Sequence, residues 1–160
     1  MELKNFPDKK YDLIVVDPPW KYENQFKTFN NRDSTEDWPY KTVGLKEIYD
    51  LPIQSLSHDT SFVFLWTTQK YLFDSKAIIE KWGFNYICCM TWEKTFGVSS
   101  GVPMKGFRFC SEFIVVGSKH KVKPISPKGQ PLIPCSFRAP NLGHSIKPQE
   151  FYKLIEHLGE

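Results

Sequence analysis

A chain of 160 residues, 41% hydrophobic and 24% charged, has the size and composition of one soluble globular domain. It is too apolar and too near charge balance to be wholly disordered. Its longest apolar runs, Leu13 to Val16 and Phe62 to Trp66, are too short for a membrane span, which needs about 20 residues. The N-terminus lacks the charged-then-apolar layout of a secretory signal, so a cytoplasmic location is expected. The net charge of +3 permits a nucleic-acid partner without requiring one. Cys88, Cys89, Cys110 and Cys135 form no C-x-x-C pair, so free thiols are expected rather than a zinc site.

In chain order, Tyr11 to Val16 is a short β-branched apolar run closed by two prolines, and predicts a buried strand. Lys21 to Thr42 is polar, aromatic and aperiodic, which predicts a long loop. Leu45 to Leu56 has helical spacing interrupted by Pro52. Ser61 to Thr67 predicts a second strand. Gln69 to Trp82 places Leu72, Phe73, Lys76, Ile78 and Ile79 at helical spacing and stops at Gly83, a good terminator. Phe84 to Trp92 predicts a third strand, Thr95 to Lys105 a Gly- and Ser-rich loop, and Glu112 to Ser118 a fourth strand. His120 to Pro134 is Lys- and Pro-rich and should be extended. Pro148 to Leu158 predicts a last helix with proline in its first turn. Strands separated by a helix argue for an α/β class with a largely parallel sheet. Ligands of such sheets bind beyond the carboxyl ends of the strands, here after Val16, Trp66 and Trp92.

Asp17-Pro18-Pro19-Trp20 follows directly on the first strand. Such a tetrapeptide suits methylation of an exocyclic amine on adenine, a poor nucleophile because its lone pair is delocalised into the ring. The Asp17 carboxylate can accept one N–H and the Pro18 carbonyl the other, drawing the nitrogen toward tetrahedral geometry and aiming its lone pair. The prolines stiffen the turn that holds both acceptors. Trp20 offers a flat face for a base, worth roughly 1–3 kcal/mol. The loop from Lys21 to Thr42 interleaves basic residues with Tyr22, Phe26, Phe29, Trp38 and Tyr40, as a single strand or an extruded base requires. Lys119, Lys121, Lys123 and Lys128 could track phosphates.

These residues resemble the MT-A family of adenine amino-methyltransferases, which contains the eukaryotic mRNA adenosine methyltransferase subunits and many bacterial and phage relatives. Beyond Asp17 to Trp20, the likeness extends to Tyr40-Lys41-Thr42, Phe64-Leu65-Trp66-Thr67, Trp82-Gly83-Phe84, Thr91-Trp92-Glu93-Lys94-Thr95, Gly106 to Gly117 with Glu112, Arg138, and His144-Ser145-x-Lys147-Pro148-x-Glu150. The resemblance implies S-adenosylmethionine as methyl donor and a Rossmann-like fold of permuted order, with the catalytic motif first and most of the donor site last. Asp17 to Trp20 would be catalytic, with Asp17 between donor and base. Tyr22, Tyr40, Lys94, Arg108 and Glu112 would meet the substrate, Glu112 also being able to pair with Arg108. His144, Ser145, Lys147 and Asp17 would meet the donor. In the family the helix matching Phe151 to Leu158 is followed by another strand and further donor-binding residues. Residues 1–160 are therefore expected to form one methyltransferase domain shorter at its C-terminus than the family's, with a homo- or heterodimer partner able to complete the donor site. The implied function is adenine N(6) methylation of nucleic acid, DNA favoured over RNA. The alternative is a non-catalytic nucleic-acid-binding subunit or degenerate remnant.

Overall fold

A computed structural model describes residues 6–21, 42–97, 110–120, 132–143 and 145–159. Its elements are β1 (Tyr11–Val16), α1 (Leu45–Tyr49), β2 (Ser57–Thr67), α2 (Leu72–Lys81), β3 (Asn85–Gly97), β4 (Ser111–Ser118), β5 (Ser136–Asn141) and α3 (Gln149–Ile155). The five strands form one sheet in the order β1-β2-β4-β3-β5. β1 runs parallel to β2, and β3 parallel to β5. β4 lies antiparallel between β2 and β3. Four strands therefore point the same way, and the expectation of a largely parallel sheet fails only at β4. The cause is legible in the chain: β2 reaches β3 through a helix, whereas no helix is predicted between β3 and β4, and parallel pairing needs a crossover.

The central strands are apolar on both faces because both faces are covered. Along β2, Val63 and Leu65 point into a core shared with Ile48, Ile78, Ile79 and Trp82 from the side of α1 and α2. Phe64 and Trp66 point the other way, against Met90, Trp92, Ile114, Phe151 and Ile155 on the side of α3. Each buried aromatic of this second core contributes roughly 4–6 kcal/mol of transfer free energy as an upper figure. The same alternation sends Cys88 and Cys89 to opposite faces. Burial first, then the neighbouring Cys135, pushes the Cys88 thiol up to about 12.

α2 ends as its sequence predicts. Gly83 adopts φ +80, its N–H reaches the Glu80 carbonyl at 2.9 Å, and the Phe84 N–H reaches the Ile79 carbonyl at 3.0 Å, the paired bonds of a Schellman cap. The apolar partners of that cap press on β4 at Gly117, where a Cβ would stand 3.0 Å from both Ile79 Cδ1 and Phe84 Cβ. Glycine is required there for close approach rather than for backbone angle.

Other expectations are corrected. The predicted helix from Leu45 to Leu56 is two pieces, α1 and a 3-10 turn at Ile53–Leu56, because Pro52 cannot donate into a continuous helix. Phe73 lies at helical spacing yet is 89% exposed; the buried stripe of α2 is Ser75, Ile78 and Ile79. β5 was not expected, its Pro140 being tolerated because the strand is at the sheet edge. Among the described residues no helix is long and apolar enough to cross a membrane.

Candidate active site

The carboxyl ends of β1, β2 and β3 lie on one edge of the sheet. β4 runs the other way, so its first residues share that edge. Register fixes which side chains meet there. Val16 is opposite Leu65, which places Asp17 beside Trp66. Glu112 is opposite Trp92, and Lys94 lies two residues further along β3 on the same face as Trp92. Asp17, Trp66, Glu112 and Lys94 thus line the face covered by α3. The segment leading into α3 adds Lys147 over it.

The charges alternate. Lys94 Nζ is 2.6 Å from Glu112 Oε1; Lys147 Nζ is 3.0 Å from Glu112 Oε2 and 3.3 Å from Asp17 Oδ2. Each ammonium also lies over an indole: Lys147 is 4.7 Å from the Trp66 ring centre and Lys94 5.0 Å from that of Trp92, and these rings meet edge to face at 5.9 Å. Attraction to the ring faces pins cations whose burial would otherwise be costly. The Asp17 side chain is 38% exposed, against 14% for Lys147 and 23% for Glu112. The open end of this charge row is therefore Asp17.

The Asp-Pro-Pro-Trp turn is held from both sides. The Trp20 N–H donates to the Pro18 carbonyl and the Val43 N–H to the Pro19 carbonyl, each at 2.9 Å. The Trp20 indole N–H donates to the Trp66 carbonyl at 3.1 Å. Its ring stacks on Tyr71 at 4.7 Å, and the Tyr71 hydroxyl donates to the Lys21 carbonyl. Trp20 is 5% exposed. That corrects the expectation that it stacks on a base. It anchors the turn in the core, with one face already covered. Tyr71, at the end of the 3-10 turn after β2, had not been singled out. Its pairing with Trp20 is across the fold and has no local sequence signal.

Residues 11–160 match the profile of the MT-A70 family, over nearly the whole chain. The chain belongs to the MT-A70 family. It is 30% identical over 164 aligned residues to the type II methyltransferase M.MunI of Mycoplasma sp, covering 94% of this chain and 66% of that protein. It is 27% identical to the non-catalytic subunit METTL14 of an N(6)-adenosine-methyltransferase from Danio rerio, over 92% of this chain and 33% of that one. The corresponding non-catalytic subunit MTB of Arabidopsis thaliana is 33% identical over 54% of this chain and 10% of its own length. The chain thus spans two thirds or less of the length of these relatives. The α/β, Rossmann-like expectation stands with the family.

Of the predicted site residues in this MT-A70 domain, the structure brings together Asp17, Lys94, Glu112 and Lys147. Glu112 pairs with two lysines. Its expected partner Arg108 lies outside the described residues, as do Tyr22, Tyr40 and His144. Ser145 is exposed with φ 62, a left-handed turn two residues before Lys147. The Trp66 indole N–H and the Thr68 hydroxyl are buried without a hydrogen-bond partner among the described residues.

The electrostatics separate the two carboxylates. For Asp17, burial is the largest influence and outweighs the attraction of Lys147, so its carboxyl is raised above the usual aspartate range. For Glu112, burial is again the largest single influence, but Lys147 and Lys94 together overcome it and hold the carboxyl below the usual range. Lys147 is raised: Glu112 and Asp17 more than offset the effect of its burial. A carboxyl lowered on folding adds stability that is present above its unfolded value and disappears as pH falls through its folded value. Glu112→Gln is therefore expected to cost about 1–3 kcal/mol at neutral pH, from lysines left short of a partner. It should also flatten the loss of stability between about pH 5 and pH 3. Urea midpoints measured across that range in both proteins check it.

Proposed function

We propose that this chain transfers a methyl group from S-adenosylmethionine to the exocyclic amine of adenine in nucleic acid, DNA in preference to RNA. The observation that carries the reading is a half-exposed Asp17 carboxylate at the open end of a charge row. It follows β1 in a turn held by Trp20 and Val43. The similarity to a type II methyltransferase over 94% of the chain supports the reaction.

The residues present suit the donor. S-adenosylmethionine carries a sulfonium and an ammonium as well as a carboxylate. Asp17 has its titration raised because burial exceeds the help it receives from Lys147. A further cation on its open side is therefore favourable. Asp17 and Lys147 would hold the donor, with Ser145 near the chain's approach to Lys147. When bound, the donor would supply an electrophilic methyl on a sulfonium, which would leave as a neutral thioether.

The chain's own groups do the rest. The Asp17 carboxylate accepts one N–H of the adenine amine. The Pro18 carbonyl has given one lone pair to the Trp20 N–H and keeps the second for the other N–H. Because that same bond fixes the carbonyl, its direction is set before substrate arrives, which is where positioning contributes to rate. Trp20 acts through the turn, not on the base. Lys147 keeps Asp17 ionised, and ionised Asp17 is the acceptor for the proton shed by the methylated amine.

The test is transfer of isotopically labelled methyl from S-adenosylmethionine to adenine-containing DNA and RNA oligonucleotides, with calorimetry of donor binding beside it. Label in adenine, more in DNA than in RNA, is expected. Donor binding without transfer to either polymer overturns the enzyme reading in favour of a non-catalytic nucleic-acid-binding subunit. The likeness to the subunits METTL14 and MTB is what supports that second reading. Location in the cytoplasm and assembly with a like or unlike partner belong to the same proposal.

A further inference from the structure

Lys94 stands beside the proposed site, with its ammonium turned to the protein's own groups. It is 2.6 Å from Glu112 and over the Trp92 ring, with its side chain 15% exposed. Its backbone is equally fixed, the N–H bonding to the Cys110 carbonyl at 2.9 Å. Its described contacts are to the protein's own carboxylate and ring, which directs its role toward Glu112. We propose that Lys94 is a positioning residue: by taking one oxygen of Glu112, it leaves Lys147 shared between Glu112 and Asp17 instead of captured by Glu112.

The argument is one of alternating charge. Lys94, Glu112, Lys147 and Asp17 form the sequence plus, minus, plus, minus, with separations of 2.6, 3.0 and 3.3 Å. Glu112 offers one oxygen to each lysine. Without Lys94, a single ammonium stands between two carboxylates. The more buried one, Glu112, then has both oxygens and its whole charge available to Lys147. Attraction falls with distance, so Lys147 moves toward Glu112 and the longer contact, to Asp17, is the one lost. Among the described residues no other charge replaces Lys94. Glu93 and Arg138 pair with each other at 3.2 Å with exposed side chains. On β5 the residue opposite Lys94 is Ala139. Among the described residues, the charged groups facing Lys94 are therefore Glu112 from β4, Lys147 from the segment before α3 and, beyond it, Asp17 after β1.

The proposal bears on activity only if Asp17 is the catalytic carboxylate, so the experiment has an arm independent of activity. In the purified full chain, the side-chain carboxyls of Asp17 and Glu112 are titrated by carbon-13 NMR in the wild type, Lys94→Met, Lys94→Gln and Lys94→Arg. The Gln variant guards against a Met variant that fails to fold. The expected result is that both midpoints rise in Lys94→Met or Lys94→Gln, Asp17's by on the order of half a pH unit, although its own partner is untouched. Lys94→Arg restores both. In the methyl-transfer assay the acid limb of the pH profile moves up with Asp17, and the loss shrinks as pH rises. An Asp17 midpoint that stays put while Glu112's rises overturns the proposal, leaving Lys94 as a local partner of Glu112. So does a raised KM with an unmoved pH profile, which would make Lys94 a substrate contact. If no variant transfers methyl but the Asp17 midpoint still follows Lys94, the enzyme reading fails and the coupling stands.

Discussion

Asp17→Ala is expected to lower methyl transfer by at least about a hundredfold to a thousandfold, the usual effect of removing one preorganised polar group from a reacting centre, while the fold survives. The sign of the stability change makes this more than a loss-of-function test. A carboxyl raised on folding is held in the folded state at a cost whenever it is ionised. That cost is present above its folded value and vanishes as pH falls through it. Asp17 is such a group. Its replacement by Ala or Asn should therefore leave the urea midpoint at neutral pH unchanged or slightly higher, and the advantage should fade on acidification. Glu112 has the opposite sign, so the two carboxylates can be told apart by denaturation alone. Transfer assays and urea curves on the same preparations check both halves. Retained activity in Asp17→Ala would remove the carboxylate from the mechanism.

Phe151→Ala should be among the most damaging single changes to the fold. The ring is fully buried and meets Phe64, Trp66, Phe137 and Tyr152. Truncating a buried aromatic typically costs about 3–5 kcal/mol, a large part of the roughly 5–15 kcal/mol that holds a domain together. The damage should reach the site, because α3 is docked through this ring and Lys147 enters just before α3. The expected outcome is an unfolding free energy lowered by that amount, read from a lower urea midpoint at unchanged slope, together with an Asp17 titration midpoint shifted upward as Lys147 loses its hold. A variant with full stability would show that α3 is held by other contacts.

The parts legible in the sequence were those whose physics is local. β1, the end of β2, α2 with its Gly83 stop, and β4 follow from alternation, helical spacing and a terminator. α3 follows Pro148 as expected, though its last turn tightens to a 3-10 form at Glu156–Gly159. β5 was missed because Ser136-Phe137-Arg138-Ala139-Pro140-Asn141 has few β-branched residues and carries a proline, tolerable only at an edge. Its place beside β3 is decided by register, not propensity. Trp20 was misjudged for a related reason. A tryptophan after a strand can serve a base or the core equally well, and only the stacking of the sequence-distant Tyr71 decides between them. Glu112 was named through family likeness and an expected pairing with Arg108. A rule that searches the ends of parallel strands would pass it by, since it stands at the beginning of β4. Reversal of that one strand brings it to Asp17.

That reversal makes β3 and β4 a hairpin whose two stems carry the Lys94–Glu112 pair at the point where the intervening segment, 98–109, departs. The stems are fixed there by the pairings of Trp92 with Glu112 and Glu93 with Ser111 and by the bond from Lys94 to the Cys110 carbonyl. The spacing of the Lys94–Glu112 pair is thereby set by the backbone of both stems, not by the side chains alone. Backbone pairing and ion pair support each other, so loosening either stem would move Lys94 and Glu112 together.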